Sequence, residues 1–399
     1  MIPRNLSKAI KKYKNQYPVI AIVGPRQSGK TTLAQELFNN YVYVSLENLD
    51  TRLYAQQDPR GFLSDHKPPL IIDEAQRAPD LFSYLQEAVD RKDKPSQYIL
   101  TGSQQFLLLE KITQSLAGRI LLLKLFPLTT NELITGRFDD DVESIFILKE
   151  QNSSFFNTID LHDLIFKGMY PRIHAKKIDA SKWLENYIAT YVERDIRSIV
   201  NIENLHLFDI FLKTIASFSG QLINYASIAN AVGISQPTVK RWMSLLETSG
   251  VVFLLSPYYK NIKKRLIKTP KLYFIDTGLL CFLLSIRQPK ELLGHPLYGN
   301  IFETFVISDL YKRISHIGTI PPLYFFRDRT GNEIDCILDL GTKRTPIEIK
   351  ASKTYHNEFT TSIKKFNLLS TTDCGLVLYA GDKPVGKNSD IPVIPWWML

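Results

Sequence analysis

The chain has 399 residues, of which 44% are hydrophobic, and its formal net charge is +9. This size and composition predict about two or three folded domains and exclude a chain that is disordered throughout. The apolar runs, such as residues 278–286, are too short to cross a bilayer, and the basic N-terminus has no signal-peptide pattern. No membrane partner is therefore expected.

Cysteine usage and charge indicate the compartment and the kind of partner. Cys281, Cys336 and Cys374 are far apart in the sequence and form no CxxC pair. This spacing predicts neither a zinc site nor a disulfide framework and favours the cytoplasm. The positive net charge favours a polyanionic partner such as DNA.

Short apolar strands alternate with helical segments in the first part of the chain. The predicted strands are "VIAIVG", "YVYVSL", "PLIID", "YILTGS" and "RILLLKLFPL". Strands that are apolar almost throughout are typical of a sheet covered by helices on both faces. Residues 1–137 are therefore predicted to be an α/β domain with a doubly wound parallel sheet. Thr129 and Glu132 have capping-box spacing and predict the start of a helix.

The stretch "GPRQSGKT" lies between the first predicted strand and a helix and fits the pattern G-x-x-x-x-G-K-[ST]. Glycines let such a loop wrap around a phosphate, while its lysine reaches the β- and γ-phosphates and its hydroxyl binds Mg²⁺. The sequence therefore predicts an ATP site in a P-loop NTPase, with Thr31 as a Mg²⁺ ligand. The predicted nucleotide-binding residues of the loop are Gly24, Pro25, Arg26, Gln27, Ser28, Gly29, Lys30, Thr31 and Thr32.

Further catalytic candidates follow the next strands. Asp73, at the end of "PLIID", is expected to hold Mg²⁺, and Glu74 is expected to polarise the attacking water. Thr101 or Ser103 is expected to sense the γ-phosphate. Arg119 in "SLAGR" is either an arginine finger, acting within the chain or on a neighbouring subunit, or a surface arginine before a strand.

Two further segments precede the C-terminal region. Residues 138–204 lose the strand pattern, and "SKWLENYIATYVERDIRSIV" predicts a long helix in a helical lid. Residues 205–269 contain a helix, a turn at Gly233 and a second helix capped by Ser235, which predict a winged helix-turn-helix. DNA contacts are predicted for the lysine-rich residues 260–271, as the wing, and for the second helix at Gln236, Thr238, Lys240 and Arg241. Protein docking is the alternative role.

Residues 270–399 mix helices and strands, and two of the strands carry charged residues. Asp335 lies in "EIDCIL", and Glu348 and Lys350 lie in "TPIEIK" on the neighbouring strand. An Asp followed by Glu-x-Lys is the pattern of PD-(D/E)xK nucleases, in which the acids hold Mg²⁺ or Mn²⁺ and the lysine stabilises developing charge. Glu303, on the apolar stripe of a helix predicted over residues 298–314, is expected to be a further acid. The alternative is a charged sheet face without a metal.

The chain as a whole resembles bacterial and archaeal AAA-type ATPases fused to an uncharacterised C-terminal domain. The resemblance lies in "GPRQSGKT", "LIIDEAQ", "LTGSQQF", "LAGRI", "GMYPRI", "YVERDI", "FIDTGLL", "GNIFETFV" and "EIDCIL…IEIKAS", in this order along the sequence. It implies an ASCE-type ATPase core, a helical lid, a winged helix and a restriction-endonuclease-like end. Met169 stands where such proteins usually have a second glycine.

These observations predict a Mg²⁺-dependent ATPase that binds DNA and carries a metal-dependent nuclease-like domain, with a role in defence or mobile-element maintenance. The alternative is an ATP-gated switch that binds DNA or a protein partner without cutting. The sequence leaves open whether the chain forms a homo-oligomer.

Overall fold

The computed structural model describes residues 2–92, 94–102, 115–146, 159–192, 205–258, 269–328, 331–370, 372–387 and 389–399. Within these ranges the strands form two five-stranded sheets and one three-stranded sheet. The strands of the first sheet are β1 (Val19–Val23), β2 (Val42–Ser45), β3 (Leu70–Asp73), β4 (Tyr98–Gly102) and β5 (Ile120–Lys124).

The first sheet is parallel, with the strand order β2-β3-β4-β1-β5, which confirms the predicted α/β class. Alternate residues of β1 enter two different cores. Val19, Ala21 and Val23 pack in the core that includes α5, whereas Ile20 and Ile22 pack in the core that includes α1 and α2. The helices around this sheet are α1 (Leu6–Tyr13), α2 (Lys30–Leu37), α3 (Leu49–Gln57), α4 (Pro59–Asp65) and α5 (Leu81–Arg91).

A helical segment follows the parallel sheet. The predicted capping box is present, because Thr129 Oγ1 accepts from the Glu132 N–H at 3.1 Å and Glu132 Oε2 accepts from the Thr129 N–H at 3.0 Å. It begins a single π-helical turn, Asn131–Thr135. The next helices are α6 (Val142–Ile145), α7 (Leu161–Lys167), α8 (Pro171–Lys176) and α9 (Ala180–Tyr187), after which Ile188–Val192 is π-helical. The remainder of the long predicted helix, from residue 193, lies outside the described residues.

The predicted helix-turn-helix pair is present, with Gly233 at φ +77° between its helices and Ser235 Oγ accepting from the Thr238 N–H at 3.3 Å. Its elements are α10 (Leu205–Ala216), β6 (Gln221–Leu222), α11 (Tyr225–Val232), α12 (Gln236–Thr248), β7 (Val252–Leu255) and β8 (Lys271–Phe274). The strands pair antiparallel in the order β6-β8-β7. Strand β8 therefore pairs with β6 and β7 across the boundary predicted at residues 269/270, and the domain boundaries stay predictions.

The third sheet is mixed, with the order β13-β12-β11-β10-β9. Strands β9, β10 and β11 are antiparallel, whereas β11, β12 and β13 are parallel. The C-terminal elements are α13 (Thr277–Leu283), α14 (Tyr298–His316), β9 (Leu323–Arg327), β10 (Glu333–Asp339), β11 (Arg344–Lys350), α15 (Thr361–Ser370), β12 (Leu376–Tyr379) and β13 (Val393–Pro395). Strand β13 was not predicted, because three residues are too few to show a period.

One hydrophobic core connects the segments that follow the parallel sheet. It contains Phe126, Phe211 from α10, Ile307 from α14 and Trp396 near the C-terminus. The predicted lid, winged helix and C-terminal domain therefore share buried side chains in the described part of the chain. A separate core, which includes Ile334, Ile363 and Val377, lies against the third sheet. No helix among the described residues is both long enough and apolar enough to span a membrane.

Candidate active site

The phosphate loop leaves the carboxyl end of β1 and enters α2 at Lys30. Gly24 has φ +154°, and a Cβ atom built on it would lie 2.1 Å from the Leu125 carbonyl oxygen. Gly29 has φ +94°, a conformation that L side chains rarely adopt. Both positions therefore require glycine, the first because of the neighbouring backbone and the second because of its own backbone angle.

Lys30 is buried beside this loop. Its ammonium donates to the carbonyl oxygens of Gly24 and Pro25, at 3.1 Å and 2.8 Å. Burial lowers the pKa of Lys30 to about 8, although Glu74 and Asp73 attract the charged form. An anion such as a phosphate next to Lys30 would favour the charged ammonium and so raise this pKa.

Asp73 is surrounded by hydroxyl groups at the carboxyl end of β3. Thr31 Oγ1 donates to Asp73 Oδ1 at 2.8 Å, and the Tyr43 hydroxyl donates to Oδ2 at 2.9 Å. Thr101 Oγ1 also donates to Oδ1. Burial, with Asp73 next, raises the pKa of Tyr43 to about 12, so this hydroxyl remains a donor. Tyr43 was missed by the sequence analysis, because nothing in "YVYVSL" indicates which residue meets the acid of the neighbouring strand.

Glu74 follows Asp73 in a left-handed backbone conformation, with φ +55°, and lines a cavity that lies over the phosphate loop. Gln76 Nε2 donates to Glu74 Oε2, which fixes one oxygen of the carboxylate. Ser103, the other predicted γ-phosphate sensor, lies outside the described residues. Thr101 is fully buried and bonds to Asp73, so its hydroxyl supports the acid.

A cavity of about 690 Å³ lies over the loop, within the size range of small-ligand sites. From the loop side it is lined by Arg26, Gln27, Gly29, Lys30, Thr31 and Thr32, with Asp73 and Glu74 beside them. The cavity is also lined by residues that the sequence analysis did not predict, namely Ile2, Arg4, Leu128, Pro171, Arg172 and Lys176. The N-terminus and α8 therefore contribute to the cavity wall, which carries several cations.

Helix α8 is held against this cavity through the "GMYPRI" segment. The Leu128 N–H donates to the Met169 carbonyl at 2.8 Å, and the Met169 N–H donates to Asp276 Oδ2 at 2.6 Å. A Cβ atom on Gly168 would lie 2.2 Å from Asp276 Oδ1, so this glycine is required. Met169 contributes backbone groups to these contacts, and its side chain is buried in the hydrophobic core.

Arg119 lies at the other end of the parallel sheet. It precedes β5, whose Ile120 pairs with Val19 at the amino end of β1, about 15 Å from the loop at the strand spacing of about 3.3 Å. Its guanidinium bonds to Asp90 through Nε at 2.5 Å and Nη2 at 3.0 Å. This geometry disfavours a role as a finger for the nucleotide of its own chain, which stays an untested prediction. A role toward another subunit stays a prediction.

The predicted acids of the C-terminal hairpin are brought together. In the register of β10 and β11 Cys336 pairs with Ile347, so Asp335 and Glu348 are neighbours. Asp335 Oδ2 accepts from the Ile349 N–H at 2.8 Å, and Lys350 donates to Glu348 Oε1 at 2.6 Å. Burial, with Asp335 next, raises the pKa of Glu348 to about 8. Glu348 Oε2 is buried and has no hydrogen-bond partner in the described part of the chain.

Glu303 of α14 lies in this cluster. A lysine that the sequence analysis assigned to the DNA-binding wing lies there as well. Lys271, predicted to be the last residue of the DNA-binding wing, is 3% exposed. Its ammonium lies 3.1 Å from Glu303 Oε1 and 2.5 Å from Glu333 Oε1. Burial and Asp335 raise the pKa of Glu303 to about 7, against the attraction of Lys271. Among the described residues, no group of three or more His, Cys, Asp or Glu side chains is arranged to hold a metal ion.

On α12, the helix predicted to read DNA, only some of the residues expected to contact DNA are exposed to solvent. Gln236, Lys240 and Arg241 of α12 are exposed, whereas Thr238 is half-buried and its hydroxyl bonds to Ser235 Oγ at 2.9 Å. Thr238 therefore belongs to the start of the helix and not to its free surface. Of the predicted wing, residues 260–268 lie outside the described residues.

Three family models match the chain in succession. An AAA domain matches residues 16–134, a domain of unknown function (DUF8612) matches residues 158–290, and a second domain of unknown function (DUF4143) matches residues 298–399. The first match covers the parallel sheet and the phosphate loop, so this part of the chain is a P-loop ATPase core. The other two matches leave the winged helix and the nuclease-like fold as predictions.

The chain is similar to proteins of bacteria and archaea over most of its length. The uncharacterized proteins Mb2031c of Mycobacterium bovis and Rv2008c of Mycobacterium tuberculosis are each 30% identical over 357 residues, which are 88% of this chain and 74% of theirs. The uncharacterized protein MJ1637 of Methanocaldococcus jannaschii is 24% identical over 77% of this chain and 71% of its own. The Walker-type ATPase PABY2304 of Pyrococcus abyssi has 15% identity and a TM-score of 0.44, over 71% of this chain and 96% of its own.

Proposed function

This chain belongs to the family of the mycobacterial proteins Mb2031c and Rv2008c, and on that premise we propose that it is a Mg²⁺-dependent ATP hydrolase that binds DNA and carries a metal-dependent nuclease-like domain. The observation that carries the hydrolase is the 2.8 Å hydrogen bond between Thr31 and Asp73 beside the buried ammonium of Lys30. These groups bring a hydroxyl, a carboxylate and a cation to one edge of the sheet, facing a cavity of ligand size.

The residues of this cavity have separate roles in hydrolysis. Lys30 binds the β- and γ-phosphates, and Thr31 and Asp73 supply the oxygen ligands that Mg²⁺ prefers. A Mg²⁺ ion held by Thr31 and Asp73 would supply positive charge to stabilise the phosphoryl group during transfer. Glu74, held by Gln76, orients and polarises the attacking water. Arg172 and Lys176, which also line the cavity, add positive charge toward the nucleotide.

Two substitutions test the hydrolase. Lys30→Ala should lose nucleotide binding or turnover, because it removes the cation that meets the phosphates. Glu74→Gln should still bind ATP but hydrolyse it at least ~10²-fold more slowly. Binding is measured with a fluorescent ATP analogue and turnover by phosphate release. Normal turnover in Glu74→Gln would reject the role of Glu74, and a wild-type protein that binds no ATP would reject the hydrolase itself.

The proposal of DNA binding rests on α11, α12 and their sheet. Three helices with an antiparallel sheet of order β6-β8-β7 are typical of winged helices, in which the second helix of the pair enters the major groove. Lys240 and Arg241 are exposed on that helix, and the net charge of +9 favours a polyanion.

The proposal of a nuclease-like C-terminal domain rests on the hairpin. Asp335 and Glu348 are adjacent, Lys350 lies beside them, and the buried oxygen Glu348 Oε2 has no protein partner among the described residues. Such an oxygen fits a divalent cation, which would be held by Asp335 and Glu348 and would polarise a phosphodiester oxygen. Lys350 would then stabilise negative charge on the phosphate that is attacked.

The alternative function is an ATP-gated switch that binds DNA or a protein partner without cutting. Lys271 favours it, because its ammonium already neutralises Glu303 and Glu333 in the same cluster. An ammonium and a divalent cation compete for the same carboxylates. The two functions are separated by incubating plasmid and single-stranded DNA with Mg²⁺ or Mn²⁺, because only the first predicts cleavage that Lys350→Ala abolishes. A role in defence or mobile-element maintenance remains an analogy at the level of the fold.

A further inference from the structure

Arg4, near the N-terminus, is hydrogen-bonded to the phosphate loop. Its guanidinium is buried and donates through Nη1 to the Ser28 carbonyl at 2.6 Å and through Nη2 to the Phe126 carbonyl at 2.6 Å. Ser28 lies in the middle of the loop, and Phe126 follows β5. Arg4 precedes the segment matched by the AAA domain, which begins at residue 16.

Glu132 fixes the third edge of this guanidinium. Glu132 Oε2 accepts from Arg4 Nε at 3.2 Å, and Oε1 accepts from the Asn5 N–H at 2.7 Å. Burial alone would raise the pKa of Glu132, but Arg4, His316 and the Thr129 N–H together lower it to about 2. The carboxylate is therefore charged at any physiological pH and holds Arg4 in one orientation.

His316 connects this pair to the last turn of α14. Its Nε2 accepts from the Phe126 N–H at 3.0 Å, so its proton is on Nδ1, which lies 3.1 Å from Glu132 Oε1. Burial lowers the pKa of His316, which agrees with this neutral tautomer. An unbroken series of hydrogen bonds thus runs from the Ser28 carbonyl through Arg4 and Glu132 to His316.

The same helix carries further anchors to the segment after β5. Asp309 accepts from the Thr130 N–H at 2.8 Å, and Lys312 donates to the Leu128 carbonyl at 3.0 Å. Glu303 lies near the other end of α14, about 20 Å from His316 at 1.5 Å per residue. One rigid helix therefore connects the wall of the nucleotide cavity to the acidic cluster of the C-terminal sheet.

We propose that Arg4 is a positioning residue for ATP hydrolysis, and that it makes the shape of the phosphate loop depend on the docking of α14. By holding the Ser28 carbonyl outward, Arg4 keeps the N–H groups of the loop directed into the cavity. Because coupling between two sites is reciprocal, nucleotide binding strengthens the docking of α14 in return. This inference rests on the proposed ATP hydrolysis at the same cavity.

The first test substitutes Arg4 in the full-length chain. Arg4→Lys keeps the charge but cannot serve three acceptors at once, so its kcat/KM for ATP should fall about tenfold to a hundredfold, with weaker nucleotide binding. The matched control is Lys8→Ala, which removes an exposed ion pair with Asp140 between the same two segments without contacting the loop. It should keep wild-type kinetics. An Arg4→Lys protein with wild-type ATP affinity and turnover would overturn the role of Arg4.

The second test substitutes His316, at the other end of this series of hydrogen bonds. It can be carried out even if Arg4 variants fail to fold. His316→Gln touches neither the loop nor the nucleotide, yet it should weaken ATP binding several-fold and speed hydrogen exchange in residues 24–31. A saturating non-hydrolysable ATP analogue should in turn slow hydrogen exchange in α14 of the wild type. A purely structural His316 would lower the melting temperature but leave ATP affinity and loop hydrogen exchange unchanged at lower temperatures. That result would overturn the coupling.

A wild type that binds no ATP would overturn the proposed hydrolase as well. A wild type that hydrolyses ATP, together with variants that are unaffected, would overturn this inference alone.

Discussion

Arg313 and Asp139 form two parallel hydrogen bonds of 2.9 Å, Nε to Oδ2 and Nη2 to Oδ1, with both side chains 2% exposed. Arg313 lies on α14, and Asp139 lies in the segment that leads from the ATPase core into the helices after it. A bidentate pair that is buried this completely fixes the two segments in one orientation.

Breaking this pair should destabilise the protein strongly, because the remaining charge stays buried without its partner. Asp139→Ala is expected to lower the free energy of unfolding by about 3–5 kcal/mol, measured by urea denaturation. Arg313→Met combined with Asp139→Leu should be much closer to wild type, since both charges are gone. Lys8→Ala, at an exposed pair, should cost about 1 kcal/mol or less. A similarly small cost for Asp139→Ala would show that the pair does not contribute to stability.

Glu132 should give the protein an acid-dependent component of stability. Its folded pKa of about 2 is below its ordinary 4.5, so its contribution is fully present above about pH 4.5 and is lost as the pH falls toward 2. The difference is worth roughly 3 kcal/mol at most. The free energies of unfolding of wild type and Glu132→Gln should therefore converge between pH 5 and pH 3. His316, with its pKa lowered by burial against the attraction of Glu132, also destabilises the fold below about pH 6.5. A constant gap between the two proteins over this range would contradict the prediction.

Charge reversal on α12 tests DNA binding. Lys240→Glu with Arg241→Glu should weaken DNA binding and flatten its salt dependence, by about one unit of slope for each phosphate that the helix no longer neutralises. The control is Lys182→Glu with Lys213→Glu, which changes the net charge equally at exposed positions on other helices. Affinity is measured by fluorescence anisotropy over a salt series. Equal effects of the two double variants would assign binding to overall charge, and no effect of either would favour protein docking.

Lys271 should control whether the carboxylates of the C-terminal cluster take a divalent cation. Lys271→Met removes the competing ammonium, so Mn²⁺ affinity should increase over wild type, whereas Asp335→Ala should abolish binding. Lys350→Ala should still bind Mn²⁺ but lose any DNA cleavage. Titration calorimetry on the full-length chain without nucleotide measures this, with Asp335→Ala as the baseline and ATP turnover as the folding control. If neither wild type nor Lys271→Met exceeds that baseline, the non-cutting switch is the better function.

Arg119 should act, if at all, on the nucleotide of another subunit. In that case Arg119→Ala lowers ATP turnover on the order of 10³-fold, and mixing it with Glu74→Gln restores part of the activity, because some interfaces then combine both intact residues. Asp90→Ala is the control, since it removes the bond to Arg119 without removing the guanidinium. Absence of rescue together with monomeric behaviour in light scattering would assign Arg119 a structural role.

The sequence alone determined the features that depend on neighbouring residues. Gly24, Gly29 and Lys30 could be placed because a phosphate loop needs particular backbone angles and a fixed spacing within a few residues. The strands of the first sheet showed as apolar runs, and the hairpin acids Asp335 and Glu348 could be paired because alternation along strands is local.

The tertiary structure decided which distant residues meet. Arg4 and Glu132 are 128 positions apart, and nothing in the residues around either one predicts the other. Lys271 looked like part of a solvated basic run, but β8 carries it into a cluster of carboxylates, where burial makes an ion pair favourable. Strand β8 also pairs with β7 across the predicted domain boundary, and the strand register placed Arg119 at the end of the sheet away from the phosphate loop. Local patterns fix backbone conformation and side-chain direction, whereas packing between elements fixes the partners of buried charges.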